Sequence, residues 1–125
     1  HAIQQDELAA VLHQADILSI HLPLLPETQN IISAHELSLL KPSISIINTA
    51  RGGIVNEPSL HAFLLKNPDA FAAFDVYAEE PVLENQLFEL HNFFGTSHRS
   101  SLTHEGIIAM GLAAIAGLDD NKILT

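Results

Sequence analysis

Short runs of aliphatic and β-branched residues alternate along the chain with stretches whose apolar residues recur at helical spacing. Four of the runs are too short for helices and predict strands, at residues 17–22, 44–48, 71–76 and 93–96. The first two of these have the apolar composition of buried strands. Helical spacing predicts four helices, at residues 6–14, 33–40, 56–64 and 103–118. Strands that alternate with helices in this way are typical of parallel βαβ units.

Capping and breaking residues agree with these boundaries. Ser33 and Glu36 have the spacing of a capping box, which marks the start of a helix. Asn56 can cap the following helix, and Pro58 falls in its first turn, where a missing N–H costs little. Pro23 stops the first predicted strand because proline cannot donate to the ladder of a sheet.

The order of the elements predicts the α/β class, with a partial Rossmann-like, doubly wound parallel sheet. A dinucleotide-binding fold normally opens with a strand, a Gly-rich turn and a helix. No G-x-G-x-x-G segment occurs among the 125 residues. We therefore expect residues 1–125 to form a partial dinucleotide-binding domain that lacks the N-terminal Gly-rich βαβ unit.

Composition narrows the class of protein further. Hydrophobic residues make up 47% of the chain and charged residues 16%, which favours a folded domain over a disordered one. The apolar stretch at 106–118 is too short to span a bilayer, and the first residues do not have the pattern of a signal peptide, so we expect no membrane association. The absence of cysteine excludes disulfides and thiolate zinc sites, and it favours a reducing, cytoplasmic location.

Because the chain is strongly acidic, its few basic residues are candidates for binding an acidic ligand. A formal net charge of −10 repels nucleic acid and anionic lipid, so we expect neither as a partner. An acidic ligand would also be repelled in bulk, and its site needs a local positive charge. Five residues can supply one: Lys41, Arg51, Lys66, Arg99 and Lys122.

Polar and charged side chains follow each predicted strand. They occur in the segments His21-Leu22-Pro23, Thr49-Ala50-Arg51-Gly52-Gly53, Asp75 with Glu79-Glu80-Pro81, and Thr96-Ser97-His98. Because ligands of parallel α/β sheets bind at the carboxyl ends of the strands, these segments predict an active site at one edge of the sheet.

Several of these segments, taken in order, resemble the signatures of the D-isomer-specific 2-hydroxyacid dehydrogenases. The similar segments are ADILSIHLPL (15–24), PET (26–28), INTARGGIV (47–55), DVYAEEP (75–81) and TSH (96–98). The match in order and spacing covers nearly the whole chain. It implies an NAD-dependent oxidoreductase that transfers hydride between NAD(H) and a small 2-hydroxy or 2-keto acid.

The resemblance also implies a catalytic trio. Arg51 is implied to bind the substrate carboxylate, a role that suits the planar fork of a guanidinium. His98 is implied to act as general acid and base, since imidazole titrates near neutrality. Glu80 is implied to hydrogen-bond His98, and we prefer it to Glu79 on its spacing to Pro81 alone. The implied contacts with NAD are made by Leu22, Pro23, Thr49, Ala50, Arg51, Asp75 and His98.

Two departures from the family pattern lie beside the histidine. Ser97 stands where the family usually has proline, and Arg99 stands where it has an apolar residue. No metal is expected, because His35-Glu36 begins like a zinc-protease motif but the second histidine is absent.

Three interpretations of the chain stay open: a segment of a dehydrogenase, an interaction module, and a degenerate remnant. Without a phosphate loop, we expect the 125 residues to be inactive in isolation. The chain could instead be a non-enzymatic binding or interaction module derived from this family, or a degenerate remnant of it. We expect a homo-oligomer such as a dimer. The sequence leaves open which 2-hydroxy acid is used and whether the cofactor is NAD or NADP.

Overall fold

The computed structural model of the protein describes residues 7–119. The chain forms α1 (Leu8–Gln14), β1 (Ile17–Ile20), α2 (Ala34–Ser38), β2 (Ser45–Asn48), α3 (Glu57–Lys66), β3 (Phe71–Phe74), a 3-10 turn (Gln86–Glu89), β4 (Phe93–Gly95) and α4 (His104–Asp119). The four strands are all parallel and lie in the order β1-β2-β3-β4. The predicted α/β, Rossmann-like parallel sheet is confirmed; the 3-10 turn was not predicted.

The predicted strands are longer than the observed ones. The runs at 17–22 and 71–76 end as strands at Ile20 and Phe74, because the chain leaves the ladder there to form the loops of the sheet edge. The first predicted helix begins at residue 6, which lies outside the described residues, and the observed α1 begins at Leu8.

The predicted caps form by side-chain hydrogen bonds. Asn56 Oδ1 accepts from the backbone N–H of Ser59 at 3.0 Å and from its hydroxyl at 2.6 Å, at the start of α3. At the start of α2, the N–H and hydroxyl of Ser33 both donate to Glu36 Oε2, at 3.0 and 2.6 Å. These bonds lower the pKa of Glu36.

One face of the sheet packs on the core and the other is open. Ile20, Ile46, Ala72 and Phe74 belong to one buried cluster together with apolar residues of α1, α2, α3 and the 3-10 turn. Successive residues of a strand point to opposite faces, so the residues between them form the open sheet face: Ile17, Ile47, Phe71, Ala73 and Phe94. Ile17, Phe71 and Phe94 are 65%, 41% and 58% exposed.

The prediction of a buried strand at residues 17–22 was therefore wrong for Ile17, which lies on the open sheet face. The crossovers from β1 to β4 all advance in the same direction across the sheet. Because βαβ crossovers are right-handed, connections that advance in one direction lie on the same face. Among the described residues, the opposite face remains without a covering layer.

Helix α4 also carries exposed apolar side chains. These are Ile107, Ile108, Met110, Leu112 and Ile115, each about half exposed or more. Within residues 7–119 there is no helix that combines the length and apolar character needed to cross a bilayer.

Candidate active site

The loop after β2 is shaped by a buried asparagine. Asn48 Oδ1 accepts from the backbone N–H of Ala50 at 3.1 Å, and Asn48 Nδ2 donates to the carbonyl of Arg51 at 3.0 Å. Asn48 is 1% exposed, so these bonds are shielded from water. The side chain of Asn48 thereby fixes the backbone that carries Arg51.

Arg51 lies in an open cleft of about 440 Å³ beyond the ends of β1 and β2. The cleft is lined by His21, Leu22, Pro23, Leu24, Thr49, Ala50 and Arg51. The exposed guanidinium donates from Nη1 to the carbonyl of Ala50 at 2.6 Å. Arg51 has no ion-pair partner within the described part of the chain, and most of its donors remain available.

A glycine brings this loop against the loop that follows β3. A Cβ placed on Gly52 would lie 1.7 Å from the carbonyl oxygen of Tyr77. No side chain fits in that space, so glycine is required for the close approach. The loop of Arg51 and the loop of Glu80 are therefore in direct backbone contact.

Glu80 and His98 form the closest pair of candidate catalytic side chains. Glu80 Oε2 lies 2.7 Å from His98 Nδ1, and Glu80 Oε1 accepts from the backbone N–H of Tyr77 at 2.9 Å. The hydrogen bond with His98 is the main cause that lowers the pKa of Glu80. Beside the pair is a cleft of about 320 Å³ lined by Tyr77, Glu80, Pro81, Val82, Ser97 and His98. Glu80, and not Glu79, is the residue that contacts His98.

Tyr77 is buried, at 4% exposure, near three carboxylates. Burial and the nearby charges of Asp75, Glu57 and Glu80 raise its pKa to about 12. Its phenol is therefore neutral at physiological pH and donates a hydrogen bond to the carbonyl of Phe74 at 3.3 Å.

Asp75 holds the loop that carries His98. Its carboxylate accepts from the hydroxyl of Thr96 and from the backbone N–H groups of Arg99 and Ser100, the latter two at 2.8 Å. Burial disfavours the charged carboxylate, but the hydrogen bonds from Ser100, Thr96 and Arg99 outweigh burial and hold the pKa of Asp75 well below its usual range.

The anchored loop includes an unusual backbone conformation. His98 has a φ of 50°, in the left-handed region, which few residues other than glycine adopt without help from their surroundings. The hydrogen bonds to the next two amides supply that support, so Asp75 fixes the orientation of His98.

The structure brings some of the predicted residues together and leaves others apart. Leu22, Pro23, Thr49, Ala50 and Arg51 share one cleft, whereas Glu80 and His98 share another. Arg51 makes no hydrogen bond with either Glu80 or His98. Asp75 contacts the loop at 96–100.

The importance of Asn48 was missed, although its position directly before Thr49 at a predicted strand end could have drawn attention to it. Among residues 7–119, no cluster of three or more His, Asp or Glu side chains could hold a metal ion.

Comparison with known proteins identifies similar domains. Residues 1–100 match the family described as D-isomer specific 2-hydroxyacid dehydrogenase, NAD binding domain. A D-3-phosphoglycerate dehydrogenase of Methanocaldococcus jannaschii is 37% identical over 106 residues, which are 85% of this chain and 20% of that protein.

Solved structures have the same fold. A Polaromonas sp. JS6 66 protein classed as a D-isomer specific 2-hydroxyacid dehydrogenase superposes with a TM-score of 0.85 at 32% identity, covering 94% of this chain and 37% of that one. A Xanthobacter autotrophicus Py2 relative, solved with NADPH and MES, has a TM-score of 0.69 at 35% identity, covering 73% of this chain and 38% of its own. The chain thus spans between a fifth and two fifths of these proteins.

Proposed function

This chain belongs to the D-isomer specific 2-hydroxyacid dehydrogenase family, and we propose that it is the segment of an NAD-dependent oxidoreductase in which a small D-2-hydroxy or 2-keto acid reacts. The observation that carries the proposal is the 2.7 Å contact between Glu80 and His98 at the sheet edge that also presents Arg51. An imidazole held by a carboxylate beside a cleft is suited to proton transfer.

His98 exchanges the proton of the reaction. Because Glu80 contacts Nδ1, Nε2 is the nitrogen left to face a substrate oxygen. In the reductive direction, His98 Nε2 gives its proton to the oxygen of the 2-keto group, and in the oxidative direction it takes the proton of the hydroxyl. Glu80 stays charged and compensates the positive imidazolium. NAD, when bound, supplies the remaining chemistry by donating or accepting the hydride at carbon 2 of the acid.

Arg51 binds the carboxylate of the acid. The net charge of the chain is −10, so an anionic substrate needs a local cation. Arg51 is exposed, its backbone is fixed by Asn48, and its guanidinium can meet a carboxylate with two parallel hydrogen bonds.

The cleft beside Arg51 fits the ring-bearing parts of NAD. Leu22, Pro23 and Leu24 offer apolar surface to a flat ring, and Thr49 and Ala50 line the same cleft. Asp75 is a weaker candidate for direct contact with NAD, because three hydrogen bonds from residues 96–100 already occupy its carboxylate. Its part in cofactor binding is to fix His98 and the loop around it.

A kinetic test uses a form of the protein that also carries a phosphate-binding loop. His98→Gln should lower kcat by about 10²–10⁴-fold in NADH-dependent reduction of 2-keto acids, the usual range for losing a general acid. Arg51→Gln should mainly raise the KM for the keto acid. The control His91→Gln removes an exposed imidazole far from the sheet edge. Equal loss in His98→Gln and His91→Gln would contradict the proposal.

The polypeptide of 125 residues is proposed to be inactive by itself, because it contains no G-x-G-x-x-G segment to bind the pyrophosphate. Calorimetric titration with NADH should detect no binding in the micromolar range. Clear micromolar affinity would overturn this part of the proposal.

A non-enzymatic interaction module is the second candidate, together with a homo-oligomeric state. It is supported by the apolar residues on α4 and on the open sheet face. A strict monomer in sedimentation at high protein concentration would count against it. A cytoplasmic location is also proposed, from the absence of cysteine alone, and cell fractionation would test it.

A further inference from the structure

The segment that carries Glu80, residues 78–85, has little apolar packing to hold it. Its first four residues are exposed, and Leu83 is 88% exposed. Val82 is the one apolar side chain of the segment that packs against the core, and only in part. Apolar burial therefore does not explain why Glu80 is held against His98.

The carboxylate of Glu57, in the first turn of α3, binds both ends of this segment. Glu57 Oε1 accepts from the backbone N–H of Ala78 at 2.6 Å, and Glu57 Oε2 accepts from Asn85 Nδ2 at 2.7 Å. Asn85 Oδ1 accepts from the backbone N–H of Leu87 at 3.0 Å. That bond fixes which end of the Asn85 amide faces Glu57.

The other charges around the segment oppose this arrangement. Glu57, Glu79 and Glu84 line one cleft of about 460 Å³ between α3 and the segment. Like charges repel, although water strongly screens exposed carboxylates such as Glu79 and Glu84. The two hydrogen bonds of Glu57, and not the charge of the cleft, therefore hold the segment against α3.

We propose that Glu57 is a positioning residue, which holds residues 78–85 at both ends and thereby keeps Glu80 in contact with His98. The inference rests on the proposed function, in which the Glu80–His98 pair transfers the proton. Glu57 itself need not touch substrate or cofactor.

The test reads the His98–Glu80 contact directly, by NMR of the full chain labelled with ¹⁵N-histidine. The signal is the exchange rate of the His98 Nδ1 proton with water, assigned with His98→Gln. In Glu57→Gln, the new amide donor faces the Asn85 donor, and in Asn85→Asp two carboxylates face each other. Each single variant should speed the exchange by about tenfold to a hundredfold, the effect of losing one charge-assisted hydrogen bond.

The double variant Glu57→Gln/Asn85→Asp exchanges donor and acceptor, so it should return the rate to within a few-fold of the parent. It keeps the net charge and the cap on Leu87. The matched control is Glu84→Gln, which removes a carboxylate of the same cleft that makes no hydrogen bond among the described residues, and it should leave the rate unchanged.

Two outcomes would overturn the proposal: exchange that is unchanged in both single variants, or a double variant as fast as the single ones. The unfolding midpoint of each variant is measured as well, to separate positioning from general stability. If Glu57 acts by positioning, the double variant recovers the exchange rate even where its unfolding midpoint stays below that of the parent. The exchange readout needs no turnover. A normal His98 signal, together with an unchanged kcat for His98→Gln in the form that carries a phosphate-binding loop, would therefore refute the proposed function and leave the role of Glu57 standing.

Discussion

The carboxylate of Asp75 connects the end of β3 to the loop after β4. The two oxygens of this carboxylate accept hydrogen bonds from donors that lie 21 to 25 residues further along the chain. Asp75 is 3% exposed, and its hydrogen bonds with Thr96, Arg99 and Ser100 are partly shielded from water, so leaving these donors without their acceptor is costly. A single buried charge thus fixes the backbone on both sides of His98.

Asp75→Asn should destabilise the protein by about 1–3 kcal/mol at neutral pH, because the new amide nitrogen faces a backbone N–H. The pKa of Asp75 is lowered by folding, so its contribution is complete above the ordinary aspartate pKa of about 4 and is lost as the pH falls below it. Urea unfolding between pH 7 and pH 3 checks this. The exposed Asp69→Asn should show neither effect, and a pH-independent difference for Asp75→Asn would contradict the explanation.

The sequence identifies residue types better than it identifies their contacts. Arg51, Glu80 and His98 could be named from strand ends and motif order. The bonds of Asp75 and Glu57 could not, because nothing local says which distant amide a carboxylate will accept from. Asn48 lies within a segment that could be identified, yet its side chain bonds to the backbone of Ala50 and Arg51. It does so because a buried amide needs hydrogen-bond partners within the protein.

At the scale of elements, the loops after β2 and β3 are in close backbone contact at Gly52 and Tyr77. Gly52→Ala should destabilise the protein by about 1–3 kcal/mol, as overpacking does, since its Cβ would overlap the carbonyl of Tyr77. Gly111→Ala in α4 has open space around the new methyl group and should instead stabilise by about 0.5–1 kcal/mol. Thermal melts of the two variants should therefore shift in opposite directions, and a shift of the same sign would contradict the assignment.

Element type and the starts of α2 and α3 followed from periodicity and caps, whereas strand ends did not. The capping residues Ser33 and Asn56 act within one turn, so local sequence determines them. Strand ends depend on where the neighbouring strand stops pairing, which is a property of the sheet. The 3-10 turn at Gln86–Glu89 was missed because a single turn has too little periodicity to detect.

At the scale of the whole molecule, an acidic chain presents apolar surface. Ile108, Leu112 and Ile115 recur at helical spacing along one side of α4, and all are exposed. We expect concentration-dependent association, strengthened by salt that screens the charge of −10. In sedimentation velocity, Leu112→Lys should weaken the association, whereas Leu65→Lys on α3 should not. Identical behaviour of the two variants would exclude α4 as the contact.

At this scale the predicted α/β class and the parallel direction of the strands are confirmed, whereas the predicted burial of the first strand is wrong. A run such as residues 17–22 has the composition of a strand covered on both sides. Whether both sides are covered depends on the handedness of crossovers that the run itself does not encode.

The open sheet face has a thermodynamic consequence. Unfolding releases less buried apolar surface than it would from a sheet covered on both sides, so the heat capacity increment should fall below the usual value of about 12–15 cal/mol/K per residue. Scanning calorimetry would then trace a broad, flat curve of stability against temperature. Any layer that covers Ile17, Phe71 and Phe94 would steepen that curve and reveal itself by a negative heat capacity of binding.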